Sequence, residues 1–267
     1  MKLIINADDL GLSAESNEGI RRAWELGFFT QTTFVANSEF SEAGAQIAAD
    51  LGIVDIVGLH LNIGEQRPLS EALAALPKYV GADGMLDFNS VFMERDTYGL
   101  SPLVTFVEEH ATDAFRREVE ALRDEVSCQV ERFRALGFSC RHVDSHRNAL
   151  VDLPVWLAAR PVLEEAGFRT CRPTFDSFAT DDLYNRMYRT WLAAERADAG
   201  LATVGHSSSI PKFVMRRDQM GADETVEAYV HPQWVDGQLL DGFTGGNLLA
   251  DDIAAVGDVE RTTFFEL

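Results

Sequence analysis

Apolar and polar positions alternate in blocks along the chain: short apolar runs are followed by longer segments with apolar residues every three or four positions. The short runs are typical of buried strands, and the longer segments are typical of amphipathic helices. The predicted strands are 3–5, 30–37, 53–62, 138–146, 168–172, 201–204, 226–232 and 262–265. The predicted helices are 14–27, 39–51, 112–136, 154–166 and 181–199.

The order of these elements predicts an α/β fold. The first five elements alternate strand and helix up to residue 62, which indicates a parallel sheet with right-handed crossovers. Residues 63–112 are rich in glycine and proline, and we expect them to cross the carboxyl ends of the strands as a long excursion. No repeat or linker divides the 267 residues, so a single domain over 1–267 is expected. The role of the tail, 233–267, stays open.

Side chains that can bind a metal or move a proton follow several predicted strands at their carboxyl ends. They are Asp8 and Asp9, His60, Asp144 and His146, and His231. In an α/β barrel these ends meet on one face, so residues far apart in sequence come together there. Two imidazoles and one carboxylate, with positions left for water, are a common catalytic site for a divalent metal. A further carboxylate and a further histidine can then serve as base and acid.

Several details of this constellation stay open at the level of the sequence. In an extended segment, Asp8 and Asp9 point to opposite sides, so one can bind a metal while the other faces substrate or water. His142 shares a predicted strand face with Asp144 and His146, and it is therefore a rival ligand or a partner that orients one. The contexts of the remaining histidines, His110 and His206, indicate surface positions.

Charge and cysteine content narrow the classes of partner. The net charge of −20 argues against nucleic acid and against an anionic membrane surface, since both need clustered lysine and arginine. The sequence contains no apolar run near ~18 residues, so no membrane span is expected. The start does not match a signal peptide, and the three cysteines are odd in number and form no CxxC pair, which predicts a cytoplasmic protein.

Taken together, the motifs resemble the YdjC-like family of carbohydrate deacetylases, which includes chito-oligosaccharide and hopanoid-associated members. The matching segments are Asn6-Ala7-Asp8-Asp9-Leu10-Gly11-Leu12-Ser13, Thr32-Thr33 to Asn37, Gly58-Leu59-His60-Leu61-Asn62, Arg67-Pro68-Leu69-Ser70, His142-Val143-Asp144-Ser145-His146 and His231-Pro232. The resemblance covers at least residues 2–232. It implies a single-domain, deformed (β/α) barrel, similar to a TIM barrel and related to the polysaccharide deacetylases.

The resemblance also implies a cofactor, one divalent metal ion held by Asp9, His60 and His146. Two histidines and an aspartate suit zinc, and magnesium is the other leading candidate, with manganese, cobalt and nickel still open. The tetrahedral oxyanion formed in the reaction would be stabilised by this ion.

For the reaction itself, the resemblance suggests Asp8 as the base and His231 as the acid. The expected activity is removal of an acetyl group from an N-acetylated sugar or related amide, by attack of a metal-bound water on the amide carbonyl. Arg172 resembles a family position at the site, and Asp144 is grouped with it as a candidate substrate contact.

The identity of the substrate is left open by two departures from the family pattern. Many relatives continue after Asp-Ser-His with a further His-x-His, whereas 147–150 reads RNAL here, and the stretch after His231 differs as well. Two alternative functions remain: a metal-dependent phosphoester hydrolase and a non-catalytic sugar-binding protein. The expected partner is a small N-acetylated carbohydrate, and a homo-oligomer is expected because symmetric oligomers are common.

Overall fold

A curled sheet of parallel strands, which forms a half-barrel, is the centre of the mixed α/β structure. The computed structural model describes residues 1–87, 112–139, 141–173 and 183–267. Its strands are β1 Lys2–Leu10, β2 Gln31–Phe34, β3 Val57–Leu61, β4 His142–Ser145, β5 Thr170–Cys171, β6 His206–Ser209, β7 Thr225–Val230, β8 Pro232–Val235, β9 Gln238–Asp241, β10 Asn247–Leu248 and β11 Glu260–Arg261.

Helices follow most of the sheet strands and pack against them. They are α1 Ala14–Glu25, α2 Ser41–Asp50, α3 Glu71–Ala74, α4 Asp113–Ala135, α5 Leu153–Ala166, α6 Leu183–Asp198, α7 Ile210–Arg216 and α8 Leu249–Val256. The side chain of Ser13 accepts a hydrogen bond from the Ser16 backbone N–H, which caps the start of α1. The five helices expected from apolar spacing are therefore confirmed within a few residues at their ends.

Strand β1 is the middle of the main sheet. The sheet order is β5-β4-β3-β2-β1-β7-β6, with β11 paired to the start of β1, and all of these pairings are parallel. The apolar residues of β1 are fully buried, as expected for a strand that is covered on both faces. Because the strands are parallel, the carboxyl ends of β1, β2, β3, β4 and β7 lie at one edge of the sheet. This edge carries the polar side chains singled out in the sequence.

The second half of the chain differs from expectation in three places. Residues 205–212, where no strand or helix was predicted, contain β6 and the start of α7, and the predicted strand 201–204 is reduced to a single bridge at Ala202. The strand β6 was missed because it is built from buried serines rather than apolar residues; the hydroxyl of Ser207 donates a hydrogen bond to Glu227. The tail contains an antiparallel sheet, order β10-β9-β8, as well as α8 and β11. The predicted strand 262–265 is wrong: β11 ends at Arg261, and Phe264–Glu266 is a 3-10 helix.

The small antiparallel sheet is held against α1. A Cβ atom on Gly19 would lie 2.5 Å from the backbone oxygen of Pro232, so only glycine allows this close approach. The guanidinium of Arg22 lies 3.7 Å from the centroid of the Trp234 ring. These contacts fix the turn between β7 and β8, which carries His231, at the carboxyl edge of the main sheet.

No helix in the four described ranges is long and apolar enough to cross a membrane. Cys128 and Cys171 carry free thiols. Cys140 and residues 88–111 of the expected 63–112 excursion, which include His110, lie outside the described residues. The predicted cytoplasmic localisation stays a prediction.

Candidate active site

The two adjacent aspartates at the end of β1 both turn toward the same cluster of buried side chains. The pairing of β1 with β2 shifts in register between Ala7 and Leu10, and Asp9 adopts a left-handed conformation with φ of +76°. The carboxylate of Asp8 faces Arg172, and that of Asp9 faces His146. The irregular backbone therefore changes the expectation from regular alternation, in which the two side chains point to opposite sides.

Asp9, His60 and His146 form a compact group of potential metal donors. Oδ1 of Asp9 lies 3.3 Å from Nε2 of His60 and 3.0 Å from Nδ1 of His146. One donor atom from each residue lies within 4.8 Å of the others, and all three residues are buried. One carboxylate and two imidazoles on rigid strand ends match the donor chemistry of a divalent transition metal, so the residues fit the ion that the sequence predicts.

A second group of potential donors, Asp8, His60 and Asp144, overlaps the first. Arg172, however, places Nη2 2.7 Å from Asp8 and 2.8 Å from Asp144. A guanidinium between these two carboxylates supplies the positive charge that a second cation would bring, and it occupies the same space. The first group is therefore the better candidate.

The protonation of the first group is set by contacts among its members and with Glu65. Burial disfavours the ionised form of Asp9, but hydrogen bonds from His146 and His60 outweigh burial and hold the pKa of Asp9 well below its usual value. Burial also opposes the charged form of His146, yet hydrogen bonds to Asp9 and Glu65 raise its pKa to about 9. The carboxylate is therefore ready to bind a cation, whereas the imidazole holds a proton that a cation must displace.

In each histidine of the donor group, the ring nitrogen that does not face Asp9 lies next to a second carboxylate. Nδ1 of His60 lies 2.6 Å from Oδ1 of Asp144, and Nε2 of His146 lies 2.5 Å from Oε1 of Glu65. Such partners fix the orientation of a ligating imidazole and select which nitrogen faces the metal. Glu65 lies on the loop after β3 and was not singled out in the sequence.

Arg172 binds three buried carboxylates at once. It donates from Nη1 and Nη2 to the two oxygens of Asp8, at 2.8 and 2.7 Å, and from Nε to both oxygens of Glu227, at 3.0 and 3.1 Å. Asp144 is 1% exposed, and its oxygens also accept from Thr33. These contacts favour a role in holding the site, so the substrate contact predicted for Arg172 and Asp144 stays a prediction that the geometry does not favour.

His231 lies next to Asp8. Its Nε2 is 3.6 Å from Oδ2 of Asp8, and its side chain is 19% exposed. Its Nδ1 is buried without a hydrogen bond and lies 3.9 Å from the carboxylate of Asp241. The ring stacks on Phe243, with centroids 5.3 Å apart. A partly exposed histidine beside a buried carboxylate can exchange a proton with a bound molecule.

His142, the rival ligand, lies deeper in the sheet than the donor group. Its Nδ1 is 3.0 Å from Oγ1 of Thr170, and its ring stacks on Phe264 with centroids 4.0 Å apart. Burial lowers the pKa of His142 to about 4, so the ring is neutral. A Cβ on Gly58 would lie 2.7 Å from this ring, which explains the glycine on the neighbouring strand. These contacts give His142 a packing role rather than a place among the donors.

All seven residues expected at the site lie in one cluster at the carboxyl edge of the sheet. Sequence reasoning missed Glu65, Glu227, Asp241 and Phe243, which contact them. A signal existed for Glu227 alone, because it lies two and four residues before Tyr229 and His231 and so shares their strand face. The other three lie on loops and in the tail, where the sequence has no periodic pattern.

A model of the YdjC-like protein family matches residues 2–263. The chain belongs to the YdjC-like family. A carbohydrate deacetylase of Geobacillus stearothermophilus is 28% identical over 267 aligned residues, covering 96% of this chain and 89% of that protein. A carbohydrate deacetylase of Halalkalibacterium halodurans is 27% identical over 237 residues, covering 88% and 86% of the two chains. The resemblance seen in the motifs is thereby confirmed.

The fold expected for a YdjC-like chain is also confirmed. A crystal structure from Enterococcus faecalis, of a protein with the provisional name cellobiose-phosphate cleavage protein, superposes with a TM-score of 0.69. The match covers 99% of this chain and 98% of that one, at 17% sequence identity. At this identity the likeness supports the fold alone.

Proposed function

We propose that this chain is a metal-dependent deacetylase that hydrolyses the acetamide group of an N-acetylated sugar. The observation that carries the proposal is the donor group Asp9–His60–His146 beside the Asp8–His231 pair, in a chain of the YdjC-like family. The names of the relatives support the carbohydrate as substrate class. We also propose one domain over 1–267, since β11 near the end of the chain pairs with the start of β1.

In the proposed reaction each residue of the site has a separate role. A divalent ion held by Asp9, His60 and His146 would polarise the amide carbonyl and lower the pKa of water. Asp8 takes the proton of the attacking water. His231 donates a proton from Nε2 to the departing nitrogen, which becomes the amino group of the product sugar. Zinc and magnesium are the first ions to test.

Arg172 would keep the base in position. Its two-point contact fixes both oxygens of Asp8, and Glu227 and Asp144 fix the guanidinium in turn. Because Nε2 of His231 is 3.6 Å from Oδ2 of Asp8, the candidate acid and the candidate base lie side by side. An amide bound against this pair would have Asp8 within reach of the attacking water and His231 within reach of the leaving nitrogen.

The contacts of Arg172 weigh against phosphoester hydrolysis. A phosphate ester needs a cation with free donors to bind its oxygens. Arg172 is already engaged by three carboxylates, and the group around it is predominantly acidic. A neutral acetamide is accommodated more easily beside these carboxylates than an anionic phosphate ester.

Acetate release tests the proposal directly. Protein stripped with a chelator and reloaded with Zn²⁺ or Mg²⁺ is assayed on N-acetylated mono- and oligosaccharides, with p-nitrophenyl phosphate as the competing substrate. We expect metal-dependent acetate release and no phosphate release. Asp8→Asn should keep metal binding but lose ~10²-fold or more in turnover. The double variant His60→Ala/His146→Ala should lose the metal, as measured by calorimetry.

His206→Ala is the matched control, because His206 begins β6 at the opposite edge of the sheet. It should keep both metal binding and turnover. Full metal affinity in the His60→Ala/His146→Ala variant would contradict the assignment of these two histidines as metal ligands. Turnover of the phosphate ester but not of acetamides would give first place to the phosphoester hydrolase, and binding of acetylated sugars without turnover would favour a sugar-binding protein.

A further inference from the structure

Phe243 is an exposed aromatic side chain beside the candidate acid. It lies in the 3-10 helix Gly242–Thr244 between β9 and β10 and is 55% exposed. The other large apolar side chains that are exposed in the described ranges are aliphatic or methionine. Exposing an aromatic ring gives up the stabilisation that its burial would bring. An exposed aromatic ring at the rim of a polar site is therefore a candidate contact for a bound ligand.

The ring is held in a fixed place by its neighbours. It stacks on the imidazole of His231 with an interplanar angle of 21°, and the ring of Tyr229 meets it at 81° with centroids 5.5 Å apart. The buried carboxylate of Asp241 accepts from the backbone N–H of both His231 and Phe243, at 3.1 and 3.0 Å. One side chain thus ties the backbone of the candidate acid to that of the exposed ring. The ring is preorganised and loses little freedom on binding a ligand.

We propose that Phe243 is the stacking platform for the sugar ring that carries the cleaved acetamide. This inference rests on the proposed function, in which His231 protonates the nitrogen of that acetamide. The nitrogen is bonded directly to the sugar ring, so a nitrogen within reach of His231 places the ring a bond or two away. The imidazole of His231 stacks on Phe243 with ring centroids 5.3 Å apart, and the Phe243 side chain stays 55% exposed beside it.

The chemistry of a pyranose fits this surface. A pyranose with mostly equatorial substituents presents a face of C–H bonds, which packs against the negative face of an aromatic ring. An acyclic acetamide has no such face. Phe243 would therefore discriminate between amides on a sugar ring and simple amides, while the polar cluster acts on the acetamide itself.

Steady-state kinetics on the metal-loaded, full-length protein tests the platform. N-Acetylglucosamine and the chitin disaccharide are compared with N-methylacetamide, which lacks the ring. Phe243→Ala should raise KM for the sugars by roughly three- to tenfold, the range expected for one aromatic contact, with a smaller change for N-methylacetamide. Phe243→Trp, which keeps a π-face, should restore KM. Leu26→Ala is the matched control, because Leu26 is 60% exposed but ends α1 at the opposite edge of the sheet.

Binding supplies a second readout that does not need turnover. Saturation-transfer NMR on Asp8→Asn protein should show the strongest transfer to the axial ring protons of N-acetylglucosamine, and the added Phe243→Ala change should remove it. An unchanged KM and an unchanged NMR pattern overturn the platform. Equal losses on the sugars and on N-methylacetamide also overturn it, since Phe243 would then only support His231.

The two proposals can fail separately. Sugar binding that depends on Phe243, with no acetate release from wild-type protein, would reject the deacetylase and retain the platform. Acetate release with no effect of Phe243→Ala would retain the deacetylase and reject the platform. Wild-type protein that neither binds nor turns over the sugars at millimolar concentration would reject both. Circular dichroism of each variant confirms that it is folded, and Phe243→Leu replaces Phe243→Ala where the latter does not fold.

Discussion

Single residues at the carboxyl edge show how strain and burial serve the site. Asp9 adopts a left-handed backbone conformation that few residues other than glycine tolerate, although aspartate is among those that do. Such a conformation costs about 1 kcal/mol or more and persists where surrounding contacts enforce it. Here the contacts are its hydrogen bonds to His60 and His146. The strain is what brings two neighbouring carboxylates into one cluster.

His142 gives a prediction for the pH dependence of stability. Its pKa is lowered to about 4 in the folded protein by burial, against about 6.5 in an unfolded chain. Between these values the unfolded state binds a proton that the folded state does not. The contribution of His142 to the free energy of unfolding is therefore fully present above pH 6.5. It decreases as the pH drops toward 4, by up to roughly 3 kcal/mol.

The contribution of His142 is measured by comparing urea denaturation of wild type and His142→Leu from pH 7 to pH 4. The difference in unfolding free energy should shift in favour of the variant as the pH falls. Parallel curves for wild type and His142→Leu would show that His142 is protonated in the folded protein.

At the level of elements, α4 shows the limit of apolar periodicity. Its apolar stripe predicts the helix correctly, yet two polar residues, Glu125 and Gln129, are fully buried on the packed side. Glu125 accepts from the backbone N–H groups of Leu69 and Ser70, and Gln129 exchanges hydrogen bonds with the backbone of Asn62. The partners lie more than 50 residues away, so local spacing could not reveal them.

Removal of the Glu125 carboxylate should destabilise the fold and loosen the loop that carries Glu65. Glu125→Ala leaves the two N–H groups of Leu69 and Ser70 buried without acceptors, at a cost of about 2–4 kcal/mol. Urea denaturation measures this loss, and hydrogen exchange should show faster exchange at these two amides. The control is Glu120→Ala on the exposed side of the same helix, with an effect within about 0.5 kcal/mol. A Glu125→Ala variant as stable as the control would remove the anchoring role.

At the scale of the whole molecule, the parallel sheet and the meeting of its strand ends could be predicted from the sequence, because both follow from the order of apolar runs. Asp8, Asp9, His60 and His146 could be placed together on that basis alone. The second sheet and the exposed ring of Phe243 could not, since the tail has no regular period and its sheet packs on α1, far away in the sequence. The pairing of Arg172 with Glu227 depends on the order of strands in the sheet, which local sequence does not encode.

The net charge of −20 acts on the whole molecule and gives a prediction for salt. Most of the excess carboxylates are exposed, and their mutual repulsion destabilises the compact state. The range of this repulsion falls to about 10 Å at 0.1 M salt. Raising NaCl from ~10 mM to ~300 mM should therefore raise Tm by about 2–4 °C, the shift that roughly 1 kcal/mol produces in a chain of this size.

Screening does not depend on the chemical identity of a monovalent cation, so choline chloride should act as NaCl does. A chelator is present throughout, because a trace of divalent ion at Asp9, His60 and His146 would raise Tm by binding rather than by screening. The buried contacts of Arg172 are shielded from solvent ions and should not weaken over this range. A fall in Tm with salt would mean that exposed ion pairs, such as Arg116 with Asp113, outweigh the repulsion.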